Sequence, residues 1–119
     1  MRKFEDIIAW QKAQELTILI YTLLKHNRDF SFRDQVQRAC VSIMNNIAEG
    51  FERQTDKELK KFLYISKGSC GEVRSMSFLA LRLGYIDREN FNQIQLLAIE
   101  ISKILSGFIK SIRPQTFDF

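Results

Sequence analysis

Proline is almost absent from this chain. Pro114 is the only one in 119 residues, and glycine occurs five times. A β fold with many turns needs more breakers than that, so long helices with short links are expected. Cysteine is scarce too: Cys40 and Cys70 stand apart, with no Cys-x-x-Cys pair. That spacing excludes a dense disulfide framework and the common zinc patterns. Both thiols fall on apolar helical stripes and are expected to be buried and reduced. His26 is the only histidine, so no Ser/His/Asp or Cys/His set can be assembled. No phosphate-cradling glycine loop occurs. The chain is therefore expected to be no enzyme and to use no cofactor and no metal. No apolar run approaches the roughly 18 residues that span a bilayer, and Met1-Arg2-Lys3-Phe4-Glu5-Asp6 is not expected to open a signal peptide. The expectation is no membrane and a cytoplasmic location.

What is present describes one all-α domain over 1–119. The 45% hydrophobic content supplies a core, and 27% charged residues supply a soluble surface. The net charge of +4 permits a nucleic-acid partner without demanding one. Four helical stretches are predicted, over about 6–25, 33–54, 56–83 and 88–112. Asp6, Thr55 and Asp87 are the expected N-caps, Thr55 forming a capping box with Glu58. Gly84 is the expected C-cap of the third helix, and Pro114 stops the fourth. Residues 26–32 read as a loop, and 116–119 as a frayed tail. Short links make neighbours antiparallel, giving an up-and-down four-helix bundle. The same pattern also allows a swapped dimer of helical hairpins.

The chain is organised around Arg38–Arg53, which carries two stripes. Val36, Cys40, Ile43 and Ile47 form an apolar seam with helical spacing. Arg38, Ser42, Asn46, Glu49 and Arg53 recur at nearly the same spacing and lie well over a quarter-turn away. In a hairpin turning near Gln54–Thr55, Cys40 falls level with Cys70, Ser42 with Gly68, and Arg38 with Glu72. Gly68 in mid-helix costs about 1 kcal/mol relative to alanine. Close approach of the second helix near Ser42 is the expected reason, and an Arg38–Glu72 pair is expected to fix the register.

Two surfaces offer contacts. Arg53, Lys57, Lys60, Lys61 and Lys67 surround the tip of this hairpin and are candidates for nucleic-acid binding, although Glu49, Glu52, Asp56 and Glu58 are interleaved with them. Several copies would multiply weak phosphate contacts. The third helix carries a surplus apolar stripe of Ile65, Met76, Leu79 and Leu83. It is the candidate surface for a homo-oligomer.

The motif Arg38-Ala39-x-x-Ser42-Ile43-x-x-Asn46-Ile47-Ala48-Glu49-Gly50-x-x-Arg53 resembles the signature of a bacterial family. Its members are small ribosomal-protein-like helical proteins encoded in intervening sequences of large-subunit ribosomal RNA genes. Further matches are Trp10-Gln11-Lys12-Ala13, Phe62-Leu63, Gly68-Ser69-x-x-Glu72 and Leu83-Gly84-Tyr85-Ile86. The resemblance covers nearly the whole chain. It implies an antiparallel four-helix bundle, a ring-like homopentamer and no known enzymatic activity. It also implies structural or interface roles for Arg38, Ser42, Asn46, Glu49, Gly50, Arg53, Gly68 and Glu72. A related branch is the accessory protein of diversity-generating retroelements, a basic pentamer that binds nucleic acid and works with a reverse transcriptase. Two functions follow as expectations: an oligomeric scaffold binding RNA, or an adaptor holding a protein partner such as a reverse transcriptase.

Overall fold

Four helices follow one another with short links: α1 (Ile8–Leu23), α2 (Phe30–Glu52), α3 (Asp56–Arg82) and α4 (Arg88–Ser111). The structure is a computed structural model and describes residues 3–112. Each helix packs against its neighbours in sequence, α1 closes on α4, and the backbones of the diagonal pairs stay apart. The result is an antiparallel up-and-down bundle measuring 53 × 22 × 22 Å. Because α1 closes on α4 within one chain, the swapped-hairpin alternative is not needed to complete the core.

The core follows the stripes. Leu16, Ile43, Ile47, Leu63, Val73, Ile94, Ile101 and Leu105 are each at most 1% exposed. Cys40 and Cys70 sit among them, fully buried and free. Burial pushes both thiols up to about 12, with a smaller contribution at Cys40 from Cys70 nearby.

The helix ends depart from the sequence reading in two places. Asp6 does not cap α1. It closes a 3-10 turn over Phe4–Asp6, its N–H donating to the Lys3 carbonyl at 3.0 Å, and Ile7 takes the cap position. The cause is Ile7, which is 3% exposed and turns into the core. Phe4 then meets Trp10 edge-on, ring centroids 5.3 Å apart. The second departure is α2, which starts at Phe30 rather than Arg33. Asp29 is its cap: Oδ1 accepts from the Phe32 N–H at 3.2 Å, and Oδ2 accepts from the Tyr85 hydroxyl at 2.6 Å. A side chain from the α3–α4 link thus helps to fix where α2 begins, which no local pattern could show.

The other ends follow their signals. Thr55 accepts from the Glu58 N–H at 3.1 Å, and Asp87 accepts from the Asn90 N–H at 2.8 Å. Gly84 has φ +76°, the left-handed conformation that closes α3, and the Tyr85 N–H reaches back to the Ala80 carbonyl at 2.8 Å. Ile112 takes the C-cap position of α4. Pro114 and the 116–119 tail lie outside the described residues. No helix among the described residues is long and apolar enough to cross a membrane.

Candidate functional site

A polar ladder holds α2 to α3. Ser42 Oγ lies 2.9 Å from Ser69 Oγ across the seam. Asn46 Nδ2 donates to the same Ser42 Oγ at 3.0 Å and to the Ser42 carbonyl at 2.8 Å. Ser66, fully buried, donates to the Ile43 carbonyl at 2.5 Å. Each hydroxyl therefore has a partner, which is what burying it requires. Nearer the hairpin tip, Gly50 lets the helices close together. A Cβ there would lie 2.8 Å from the Phe62 Cβ. The close approach expected at Gly68 is thus at Gly50, and a Cβ on Gly68 meets nothing within 4 Å. Ser42 faces Ser69 instead, and Gly68 is turned out to solvent.

The expected Arg38–Glu72 pair does not form. Both side chains point outward. Glu72 Oε2 accepts from Gln35 Nε2 at 3.4 Å, and Arg38 has no ion pair among the described residues. The two instead line an open polar groove of about 620 Å³, with Asp34, Gln35, Ser42 and Ser69.

The hairpin tip separates its cations. Arg53 is engaged twice, with Glu49 Oε2 at 2.7 Å and with its guanidinium carbon 4.9 Å from the centre of the Phe62 ring. Lys57, Lys60, Lys61 and Lys67 make no ion pair among the described residues. They do not share one face. In steps of 100°, Lys60 and Lys67 lie on the flank of α3 that meets α4, and Lys61 lies toward α2.

That α4 flank is more basic than the tip. Lys60, Lys67 and Arg74 recur every seventh residue on α3, and Lys103 and Lys110 do the same on α4. Arg74 Nε bonds Gln95 Oε1 at 3.1 Å, and Phe78 stacks edge-on against Phe91 at 4.9 Å. Carried down the antiparallel pair, this register sets Lys103 level with Lys67 and Lys110 level with Lys60. Between the levels of Lys60 and Arg74 these two helices carry two acids, Glu72, which meets Gln35 on the α2 side, and Glu100 on α4. Glu100 pairs with Lys12 Nζ at 3.2 Å and lines a shallow depression with Lys103. None of the five cations has an ion pair among the described residues. The stripe spans about 21 Å, fourteen residues at 1.5 Å each. The α4 half was missed from sequence because Lys103 and Lys110 lie far from the motif. Their seven-residue spacing was the available signal.

The surplus apolar stripe is split. Ile65, Leu79 and Leu83 are exposed on α3, whereas Met76 is half-buried beside a narrow crevice with Ile20, Leu24 and Val36. His26 lies exposed beyond the end of α1. Among the described residues no group of three or more His, Cys, Asp or Glu is placed to hold a metal ion.

Residues 5–107 match the model of the 23S rRNA-intervening sequence protein family. The chain belongs to this family. A solved structure from Bacteroides thetaiotaomicron, described as a protein with unknown function from the S23 ribosomal protein family, is 28% identical. It covers 87% of this chain and 100% of its own, with a TM-score of 0.81. No curated protein matches. Neither description names a reaction. In this intervening-sequence protein the motif Arg38–Arg53 is the α2 half of the α2–α3 seam. Ser42 and Gly50 join the helices, Asn46 bonds Ser42 from within α2, Glu49 and Arg53 finish α2, and only Arg38 stands free at the groove.

Proposed function

We propose that this intervening-sequence protein is a non-enzymatic, self-associating helical scaffold that holds the phosphate backbone of a nucleic acid along its α3–α4 flank. The observation that carries the reading is the stripe of Lys60, Lys67, Arg74, Lys103 and Lys110, none of which has an ion pair among the described residues, while Glu72 and Glu100 are engaged by Gln35 and Lys12. Unpaired cations on rigid helices meet phosphates without first breaking an internal pair. Nothing in the stripe matches base edges, so binding should tolerate changes of sequence. The family description names 23S rRNA, which makes a structured fragment of that RNA the first ligand to try. Exposed Ile65, Leu79 and Leu83 support self-association, and several copies would multiply weak phosphate contacts.

The test is an RNA titration at two salt concentrations. The wild type is compared with Lys60→Glu/Lys67→Glu/Lys103→Glu, and oligomer size is checked in parallel. The wild type should bind, weaken steeply with salt, and lose about three units of its log–log salt slope in the variant. Salt-independent binding, or equal binding by the variant, overturns the proposed surface. A wild type that ignores RNA but keeps a protein partner after nuclease treatment replaces this reading with the adaptor.

A further inference from the structure

The polar groove on the outer side of the α2–α3 seam exists because Ala39, Ser42 and Ser69 are too small to fill the space between the two helices. The serine pair lies in its lining. Ser69 is 9% exposed, and the two hydroxyl oxygens are 2.9 Å apart. Two hydroxyls carry two protons, and one of them lies between the oxygens. The other has no acceptor among the described residues. If Ser42 donates to Ser69, the Ser69 proton is left over. If Ser69 donates, Ser42 already accepts from it and from Asn46 Nδ2 at 3.0 Å, and the Ser42 proton is left over. In either case the seam holds one spare O–H at the groove. A spare donor on a serine pair this well buried calls for an acceptor from outside the chain.

One turn further along, the two banks carry opposite charges. Arg38 precedes Ser42 by four residues on α2, and Glu72 follows Ser69 by three on α3. Because the helices are antiparallel, both lie on the same side of the serine pair, about 4.5–6 Å along the groove. They do not pair with each other. Arg38 has no ion pair among the described residues, and of Glu72 only Oε2 is engaged, by Gln35. Asp34, the third charged residue of the lining, is taken up by Arg33 Nε at 3.5 Å. One cation and one anion remain, on facing banks. That balance selects among ligands. A simple anion that reaches Arg38 is repelled by Glu72, and a simple cation that reaches Glu72 is repelled by Arg38. A molecule carrying both charges satisfies both banks.

We propose that this groove binds a small zwitterion, an α-amino acid. Its carboxylate lies between the Arg38 guanidinium and the spare serine O–H, and its ammonium meets the Glu72 carboxylate. Charge-assisted hydrogen bonds of this kind are the strong ones. The groove volume of about 620 Å³ is within the range of small-molecule sites. The rest of the lining includes Ser31 and Gln35, which suits a small or polar uncharged side chain. The site lies on the α2–α3 side of the bundle and uses none of the cations of the α3–α4 flank, so it stands independently of the nucleic-acid reading.

The experiment is a titration of the full chain with glycine, L-serine and L-glutamine, one at a time, followed by backbone amide signals in NMR. Saturable shifts should centre on Arg38, Ser42, Ser69 and Glu72, with half-saturation on the order of 1 mM, since few contacts hold the ligand. Acetate and methylammonium carry one charge each and should bind about tenfold more weakly or less. Arg38→Gln and Glu72→Gln should each weaken amino-acid binding by about tenfold or more. Both side chains are exposed, so the rest of the spectrum should stay in place. Ser69→Ala, which removes the spare proton, should weaken binding as well. The Lys60→Glu/Lys67→Glu/Lys103→Glu chain should bind the amino acids as the wild type does. Absence of a saturable shift with all of these amino acids at about 10 mM overturns the proposal. So does equal binding of acetate, or undiminished binding by Arg38→Gln or Glu72→Gln. Loss of binding in the triple lysine variant moves the ligand to the basic flank and overturns it too.

Discussion

Two cysteines and one tyrosine show how burial and hydrogen bonding set reactivity in this bundle. With both thiols pushed up to about 12, the thiolate fraction at pH 8 is on the order of 10⁻⁴, against roughly a fifth for an ordinary cysteine. The thiolate is the reactive form. A thiol reagent at pH 8 should therefore label the folded chain about a thousandfold more slowly than free cysteine, and should find two thiols after unfolding. Fast labelling of the folded chain contradicts this burial. These raised values favour the folded state below the ordinary thiol range, and that contribution is lost as pH rises from about 9 toward 12. Asp29 works in the opposite sense. The Tyr85 hydroxyl, and then the Phe32 N–H, hold its carboxyl below the usual range. Its contribution to stability is present above the ordinary carboxylate range and is lost as pH falls below it. Tyr85→Phe should raise the Asp29 value toward the ordinary one in an NMR titration. An unmoved value means that Tyr85 does not set it.

At the level of the helix, the glycines divide by what surrounds them. Gly50 faces Phe62 and Leu59 so closely that Gly50→Ala forces the α2–α3 hairpin apart. A loss of about 1–3 kcal/mol is expected in chemical denaturation. Gly107 has open space around it on α4, so Gly107→Ala should gain about 1 kcal/mol of helix propensity. Equal effects at the two positions contradict the close approach at Gly50. Helix ends can be tested in the same way. Thr55 accepts from the Glu58 N–H, and Thr55→Ala should cost about 1 kcal/mol by leaving that donor to water. These changes act inside one chain, so they separate bundle stability from assembly.

For the whole molecule, the surface is divided by chemistry. The α2–α3 seam carries hydrogen bonds and close packing, the α3–α4 flank carries unpaired cations, and the outward faces of α1 and α3 carry exposed apolar residues. Assembly and nucleic-acid binding should then be separable by mutation. Lys60→Glu/Lys67→Glu/Lys103→Glu should keep the wild-type oligomer size while losing RNA binding. Light scattering and a filter-binding assay on the same preparation check both. A variant that loses assembly and binding together shows that the two surfaces are one.

The sequence by itself determined the helices and their order. Helical spacing of Val36, Cys40, Ile43 and Ile47, the Thr55 and Asp87 caps and the glycine at position 84 are local signals, because they act within a few residues along the chain. The motif also marked the right seam, since Ser42 and Asn46 are too short to serve as solvating surface and had to find partners. Asn46 found Ser42 on its own helix, and tertiary structure decided which partner Ser42 found across the seam. Ser42 meets Ser69 rather than Gly68, because a one-residue change in register rotates the facing side chain by about 100°. It decided that Gly50, not Gly68, is the glycine packed against the facing helix, a matter of which face each glycine presents. It also decided where α2 begins, because the Asp29 cap is held by Tyr85, 56 residues away. The basic flank belongs to the same class. Lys67 and Lys103 are distant in sequence, and only the antiparallel packing of α3 on α4 brings them level.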